Sequence, residues 1–190
     1  MQHVAVRRSV MSRIDETRAF IPLRIAVLTI SDTRVMADDK SGDTLVARLT
    51  GVGHHLAARA IAIDDVDAIR LAIRPWLADT TVDVVITTGG TGFTGRDVTP
   101  EALEPLFEKR MDGFSTLFHQ LSFTKIGTST LQSRATAGVA QATYVFCLPG
   151  SPGACRDAWD GILVYQLDYR HRPCNFVEIM PRLDEHLRRG

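Results

Sequence analysis

Cysteine is scarce in this chain, with Cys147, Cys155 and Cys174 the only three in 190 residues. Their number is odd and no two stand at paired metal-ligand spacing, which excludes a cysteine zinc site and argues against a disulfide scaffold. The chain fits a reducing cytoplasm. Net charge is also missing, because Lys+Arg 22 balances Asp+Glu 22. No global field draws such a protein onto nucleic acid or an anionic membrane, so any anion it binds must be held by a local site. Nor is there a run of about twenty apolar residues that would span a membrane. Residues 1–19 are polar and basic without an apolar centre, unlike a signal peptide, and read as a flexible tail. Internal repeats and low-complexity tracts are absent as well.

What is present is 45% hydrophobic and 23% charged composition, enough for one substantial core rather than two small ones. The run at 23–30 is apolar and β-branched, as a strand covered on both faces would be, and it ends at the polar turn Ser31-Asp32-Thr33. Residues 41–50 space Leu45, Val46 and Leu49 as a helix, with Ser41 as N-cap and Gly51 or Gly53 as the stop. A strand at 55–63, a helix at 66–77 capped by Asp65, and a strand at 82–87 follow. This alternation predicts a parallel sheet with right-handed crossovers. Beyond it, Thr99 caps a helix with Pro100 at its first position, a helix is expected at 113–121, and 127–140 reads as a loop plus a short helix. A buried strand at 145–148 leads to a helix at 154–167 that buries Trp159, Ile162 and Leu163; residues 169–190 are expected on the surface or against a neighbour. The stretch 114–123 is apolar and aromatic and suits either a contact surface or core.

Chemistry concentrates in the turns at the carboxyl ends of the strands, where open parallel sheets bind ligands. In Thr88-Gly89-Gly90-Thr91-Gly92 the glycines permit positive φ and carry no Cβ to hold a phosphate off the backbone, so several N–H groups can address one anion. The pattern matches neither standard nucleotide fingerprint. Flanking Arg96-Asp97 and the strand before it distinguish the run from a plain tight turn. A carboxylate at Asp97 beside phosphates calls for a bridging hard cation such as Mg²⁺; helix-start acid or Asx turn is the competing role. Asp64 is free if Asp65 caps the helix. Asp32 and Asp43 could shape the same pocket or stand in solvated loops. Ser151 in Pro149-Gly150-Ser151-Pro152 serves a ligand, caps the next helix, or both. Structural roles are favoured for Cys155 and Cys174, and a surface position for His54 and His55.

Taken together, these loops resemble the MoaB and MogA molybdenum cofactor biosynthesis family. The resemblance rests on Leu28-Thr29-Ile30-Ser31-Asp32, Thr87-Thr88-Gly89-Gly90-Thr91-Gly92, Arg96-Asp97-Val98-Thr99-Pro100-Glu101-Ala102 and Leu148-Pro149-Gly150-Ser151-Pro152. It covers residues 20–180 as one molybdopterin-binding domain and leaves 181–190 as a tail. The segments Gly127-Thr128-Ser129-Thr130-Leu131-Gln132-Ser133-Arg134 and Arg172-Pro173-Cys174-Asn175-Phe176 look more like the MoaB branch.

The resemblance implies a three-layer α/β/α sandwich with a mostly parallel sheet that binds molybdopterin. Active members transfer AMP to it from Mg-ATP and release pyrophosphate. It implies catalytic and magnesium-holding roles for Asp64 and Asp97, and pocket roles for Ser31, Asp32, the glycine loop and the 149–152 loop. It also implies a homotrimer or homohexamer, with other enzymes of cofactor biosynthesis as partners. Two further readings stand beside the transferase: a molybdopterin carrier or scaffold, and a generic dinucleotide binder with affinity for nicotinamide or flavin.

Overall fold

The structure, a computed structural model, describes residues 13–186. A short strand β1 (Arg13–Ile14) precedes β2 (Arg24–Ile30), α1 (Lys40–Gly51), β3 (His55–Ala62), α2 (Val66–Ala78) and β4 (Val84–Thr88). Then come α3 (Thr99–Leu103), β5 (Lys109–Arg110), α4 (Asp112–Ile126), β6 (Thr136–Ala140) and β7 (Thr143–Leu148). The chain continues through α5 (Pro152–Ala158), a π-helical turn Trp159–Leu163, α6 (Val164–Gln166), β8 (His171–Arg172) and α7 (Phe176–Ile179).

Six strands form one sheet in the order β3-β2-β4-β7-β6-β5. The first four are parallel, while β6 and β5 are antiparallel to their neighbours. Every residue of β4 and β7 is buried, as is all of β2 after Arg24, so these are interior strands covered on both faces. On one face Leu45 and Leu49 of α1 pack with Phe114 and Phe118 of α4 and with Trp159 and Leu163. Ile69, Ile73 and Leu77 of α2 pack with Ala102 and Leu103 of α3 on the other. The result is the expected three-layer α/β sandwich. Within 114–123 Phe114 and Phe118 enter the core, while Leu117 and Phe123 are exposed.

Several local expectations are corrected by tertiary contacts. Asp39, not Ser41, caps α1: its carboxylate is fully buried and accepts from the Gly42 amide at 2.9 Å, the Thr29 hydroxyl at 2.7 Å and the Arg59 guanidinium at 2.9 Å. Thr99 does not cap its helix either, because its hydroxyl donates to the Gly89 carbonyl at 2.8 Å. Helix α4 runs to Ile126, past the expected 121. The short helix expected in 127–140 is a 3-10 turn at Gly127–Gln132, and the remainder holds β6. The strand carries Gly138 where the Phe107 ring crosses it; a Cβ there would lie 2.4 Å from that ring. Asp65 and Ser151 do cap α2 and α5, accepting from the Ala68 and Ala154 amides.

Part of the expected amino-terminal tail is pinned. β1 pairs with β8, and Asp15 binds the Arg172 guanidinium at 3.1 Å. The tail's first twelve residues lie outside the described residues, as do 187–190 of the expected carboxyl tail. Segment 169–190 is not wholly superficial, since Val177 joins the core and the Tyr144 hydroxyl donates to the Phe176 carbonyl.

His54, expected on the surface, is only 3% exposed, between Phe20 and Trp159. The Leu23 amide donates to its Nδ1 at 3.0 Å, which requires a neutral ring. Burial, partly offset by the Asp168 charge, pushes its pKa down to about 4. The unfolded chain, with a histidine near 6.5, binds the proton more readily, so this contribution is whole above pH 6.5 and is lost as pH falls towards 4. About 2 kcal/mol should be lost by pH 5. Urea titrations at pH 7 and pH 5 should therefore show a steeper loss in the wild type than in His54→Asn; parallel losses would refute the buried neutral imidazole.

Candidate functional site

Helices α1 and α2 leave opposite faces of the sheet, which opens a crevice at the carboxyl ends of the adjacent strands β2 and β4. A cavity of about 740 Å³ lies there. Its floor comes from Ser31, Thr33 and Arg34 after β2, Asp64 after β3, the glycines after β4, Asp97, and Pro149, Gly150, Ser151 and Pro152 after β7. The far wall is Phe118, Ser122 and Ile126 of α4 with Ser129, Thr130, Gln132 and Ser133.

The glycine loop is held by its carbonyls. Gly89 O accepts from the Thr99 hydroxyl, Gly90 O from the Thr99 amide at 2.9 Å, and Thr91 O from the Arg134 amide at 2.8 Å. Gly92 O accepts from Arg134 Nε at 2.8 Å. The Gly89 amide is tied to Leu148 O, whereas among the described residues the Gly90 and Thr91 amides have no partner. Gly89 (φ +112°) and Gly90 (φ +61°) occupy the positive-φ conformations that this path demands. The backbone thus leaves two N–H donors beside the cavity on a loop fixed from behind.

Two carboxylates border this cradle in different states. Burial raises the Asp97 carboxyl, but bonds from the Thr94 hydroxyl and amide at 2.6 and 2.8 Å, together with the Gly92 amide, outweigh it and hold the pKa below the ordinary range. The Asx turn expected to lead from Asp97 into Val98-Thr99-Pro100 does not form, because the carboxylate accepts from Thr94, three residues before it, while the Thr99 amide donates to Gly90 O; Asp97 lines the cavity. Burial, reinforced by the Asp32 charge and only partly offset by the Asp32 backbone amide, raises the Asp64 carboxyl.

Two of the expected pocket residues do not line the cavity. Asp32 is engaged by Arg96 in a bidentate pair at 2.9 and 2.8 Å and accepts from the Asp64 amide at 3.1 Å. It positions the Asp64 loop, and Arg96, its partner, does not line the cavity. Thr88 is fully buried; its hydroxyl donates to Pro149 O at 2.9 Å and meets Cys155 Sγ at 3.1 Å. Burial pushes the Cys155 thiol up to about 11, in keeping with a structural cysteine. Asp43 pairs with Arg59, away from the cavity lining. Sequence reading missed Arg34 and the 129–133 wall, which no local motif ties to the glycine loop. Among the described residues no group of three or more His, Cys, Asp or Glu side chains could hold a metal ion alone.

A mostly parallel α/β sandwich with a glycine-rich cradle at its switch point is the class that this fold and site define. The family described as "Probable molybdopterin binding domain" matches residues 26–169. Molybdenum cofactor biosynthesis protein B of Escherichia coli (strain K12) is 52% identical over 157 residues, 83% of this chain and 92% of that protein. The protein of the same name from Bacillus subtilis (strain 168) is 44% identical over 146 residues, 76% and 86% of the two chains. A crystal structure of molybdenum cofactor biosynthesis protein B superimposes with TM-score 0.79 at 37% identity, covering 88% of this chain and 99% of that one. The chain belongs to the MoaB/MogA molybdenum cofactor biosynthesis family, and its function lies in that biosynthesis. Among the described residues no helix is long and apolar enough to cross a membrane.

Proposed function

We propose that the protein binds molybdopterin in this cavity and adenylylates it with Mg-ATP, releasing pyrophosphate. The observation that carries the reading is the pair of partnerless amides at Gly90 and Thr91, on a loop whose four carbonyls are all tied back. Backbone donors so placed hold a phosphate oxygen without rearranging, and they stabilise charge on a transferring phosphoryl group.

In the transfer, a phosphate oxygen of molybdopterin bonds to the α-phosphorus of ATP as the bond to the pyrophosphate oxygen breaks, in line. No protein nucleophile is needed, so the task of the side chains is positioning and charge control. Asp64 and Asp97 fit a magnesium ion: the Asp97 carboxylate is held ionised, and the Asp64 carboxylate is half-buried beside the cavity with no cationic side chain hydrogen-bonded to it among the described residues. Two carboxylates with substrate oxygens and water are a normal set for that ion, which when bound supplies charge neutralisation between the phosphates. Asp97 stays fixed by its bonds to Thr94, Asp32 sets the Asp64 loop through the Asp64 amide, and Phe118 and Ile126 give the far side an apolar lining.

The second reading is a molybdopterin carrier without transferase activity, because the partnerless amides of the glycine loop serve binding as well as transfer. Incubation of the purified protein with molybdopterin and Mg-ATP separates the two. AMP-linked product and pyrophosphate are expected; tight molybdopterin binding without product would establish the carrier. We further propose that it works in the cytoplasm, as its sparse cysteines suggest, and as a homotrimer or homohexamer beside other enzymes of the pathway, as the family resemblance implies. Exposed Leu117 and Phe123 would suit a subunit contact, and sedimentation velocity reads the assembly directly.

A further inference from the structure

Arg34 is the one cationic side chain that lines the cavity among the described residues; the other charged groups there are Asp64 and Asp97. Its guanidinium is held at both ends. One nitrogen donates to the Ser41 hydroxyl at 2.7 Å, the other to the Gly150 carbonyl at 3.0 Å, and its own amide donates to Ser31 Oγ at 3.2 Å. A guanidinium has about five N–H donors, so most of its fork is left free. Among the described residues it joins no ion pair, although Arg59, Arg96, Arg110, Arg170 and Arg172 each have a carboxylate. Gly150 lies against Gly89, where an added Cβ would come within 3.2 Å of Gly89 Cα. The fork therefore sits beside the same loop as the partnerless amides of Gly90 and Thr91.

We propose that Arg34 is the side-chain ligand of a phosphate group bound in this cavity. The inference rests on the reading of the site as one for phosphorylated ligands and adds the cation that recognises them. A half-buried guanidinium held rigid between two loops, without a counter-ion and with donors free, is pre-organised for bidentate contact with phosphate oxygens. The neutral ends of its two existing bonds leave its charge for the ligand. Either source of phosphate fits: the nucleotide or the terminal phosphate of molybdopterin.

Calorimetric titration of wild type, Arg34→Gln and Arg34→Lys tests this, one arm with α,β-methylene-ATP and Mg²⁺ and the other with molybdopterin. Melting temperatures without ligand are measured alongside. Arg34→Gln should lose about tenfold or more in affinity in at least one arm, with the gap narrowing at high salt, and Arg34→Lys should recover part of it. Loss in the nucleotide arm places the contact on the nucleotide phosphates, and loss in the molybdopterin arm places it on the pterin's phosphate. Equal affinities of all three proteins in both arms would overturn the proposal, and so would rescue by Gln but not by Lys, which marks a neutral staple between loops. In both cases wild-type binding leaves the reading of the cavity intact; a wild type that binds neither ligand removes that reading together with the proposal.

Discussion

Asp97→Asn should slow AMP transfer by about 10²–10³-fold, equivalent to about 3–4 kcal/mol of barrier, and leave the melting temperature nearly unchanged. The amide is isosteric and keeps an oxygen for the Thr94 hydroxyl and amide, so the turn that carries it persists. What disappears is the negative charge that those bonds hold ionised at the rim of the glycine cradle. Asp97→Ala should lose transfer equally and cost about 1 kcal/mol more in stability, because the Thr94 donors lose their acceptor. Single-turnover assays of product and pyrophosphate, paired with thermal melts, separate the effects. Turnover within threefold of wild type in Asp97→Asn would remove Asp97 from the chemistry and leave it a turn residue.

Gly89→Ala should be the most damaging single methyl in the site. At φ +112° the residue lies where side chains are strained, and an added Cβ would stand 2.1 Å from the Ile30 carbonyl oxygen. That oxygen is backbone of the central strand β2 and cannot rotate aside as a side chain would. Backbone strain and overpacking together cost roughly 3–5 kcal/mol, or about 10 °C in melting temperature for a domain of this size. Gly95→Ala supplies the control, with no positive φ and nothing within 4 Å of the new Cβ, and should change stability by less than about 0.5 kcal/mol. Differential scanning calorimetry of the two variants decides the matter; a Gly89→Ala melt as mild as the control would mean that the strand and the loop do not approach as described.

The buried strands β2, β4 and β7 were legible because residues covered on both faces are almost uninterruptedly apolar, and the three turns that follow them stood out for the same reason in reverse. Asp65 and Ser151 were legible as caps because that role depends on the next three residues alone. β6 was not: among Thr136, Ala137, Gly138, Val139 and Ala140 the glycine is needed where the Phe107 ring crosses the strand, a contact that no local pattern announces. His54 and Thr99 misled for a related reason, each being claimed by a distant backbone group, Leu23 N and Gly89 O. The residue pattern placed Asp32 in the right turn but could not tell which way its side chain leaves it, and it read Thr88 as loop where that residue closes β4 and is buried. Arg34 and the 129–133 wall went unread because they reach the cavity only through tertiary packing.

The clasp between β1 and β8 has a bearing on biosynthesis. Asp15 and Arg172, the pair that fastens it, stand 157 positions apart. On the ribosome the first partner emerges long before the second, and β1 must wait unpaired until almost the whole sandwich has been made. The sheet order already allows β2, β3, β4 and β7 to assemble without it. Closure of the clasp is therefore a late event, and a nascent chain that stops short of residue 171 would leave its own beginning loose, a difference that a protease acting near residue 15 could read as incompleteness.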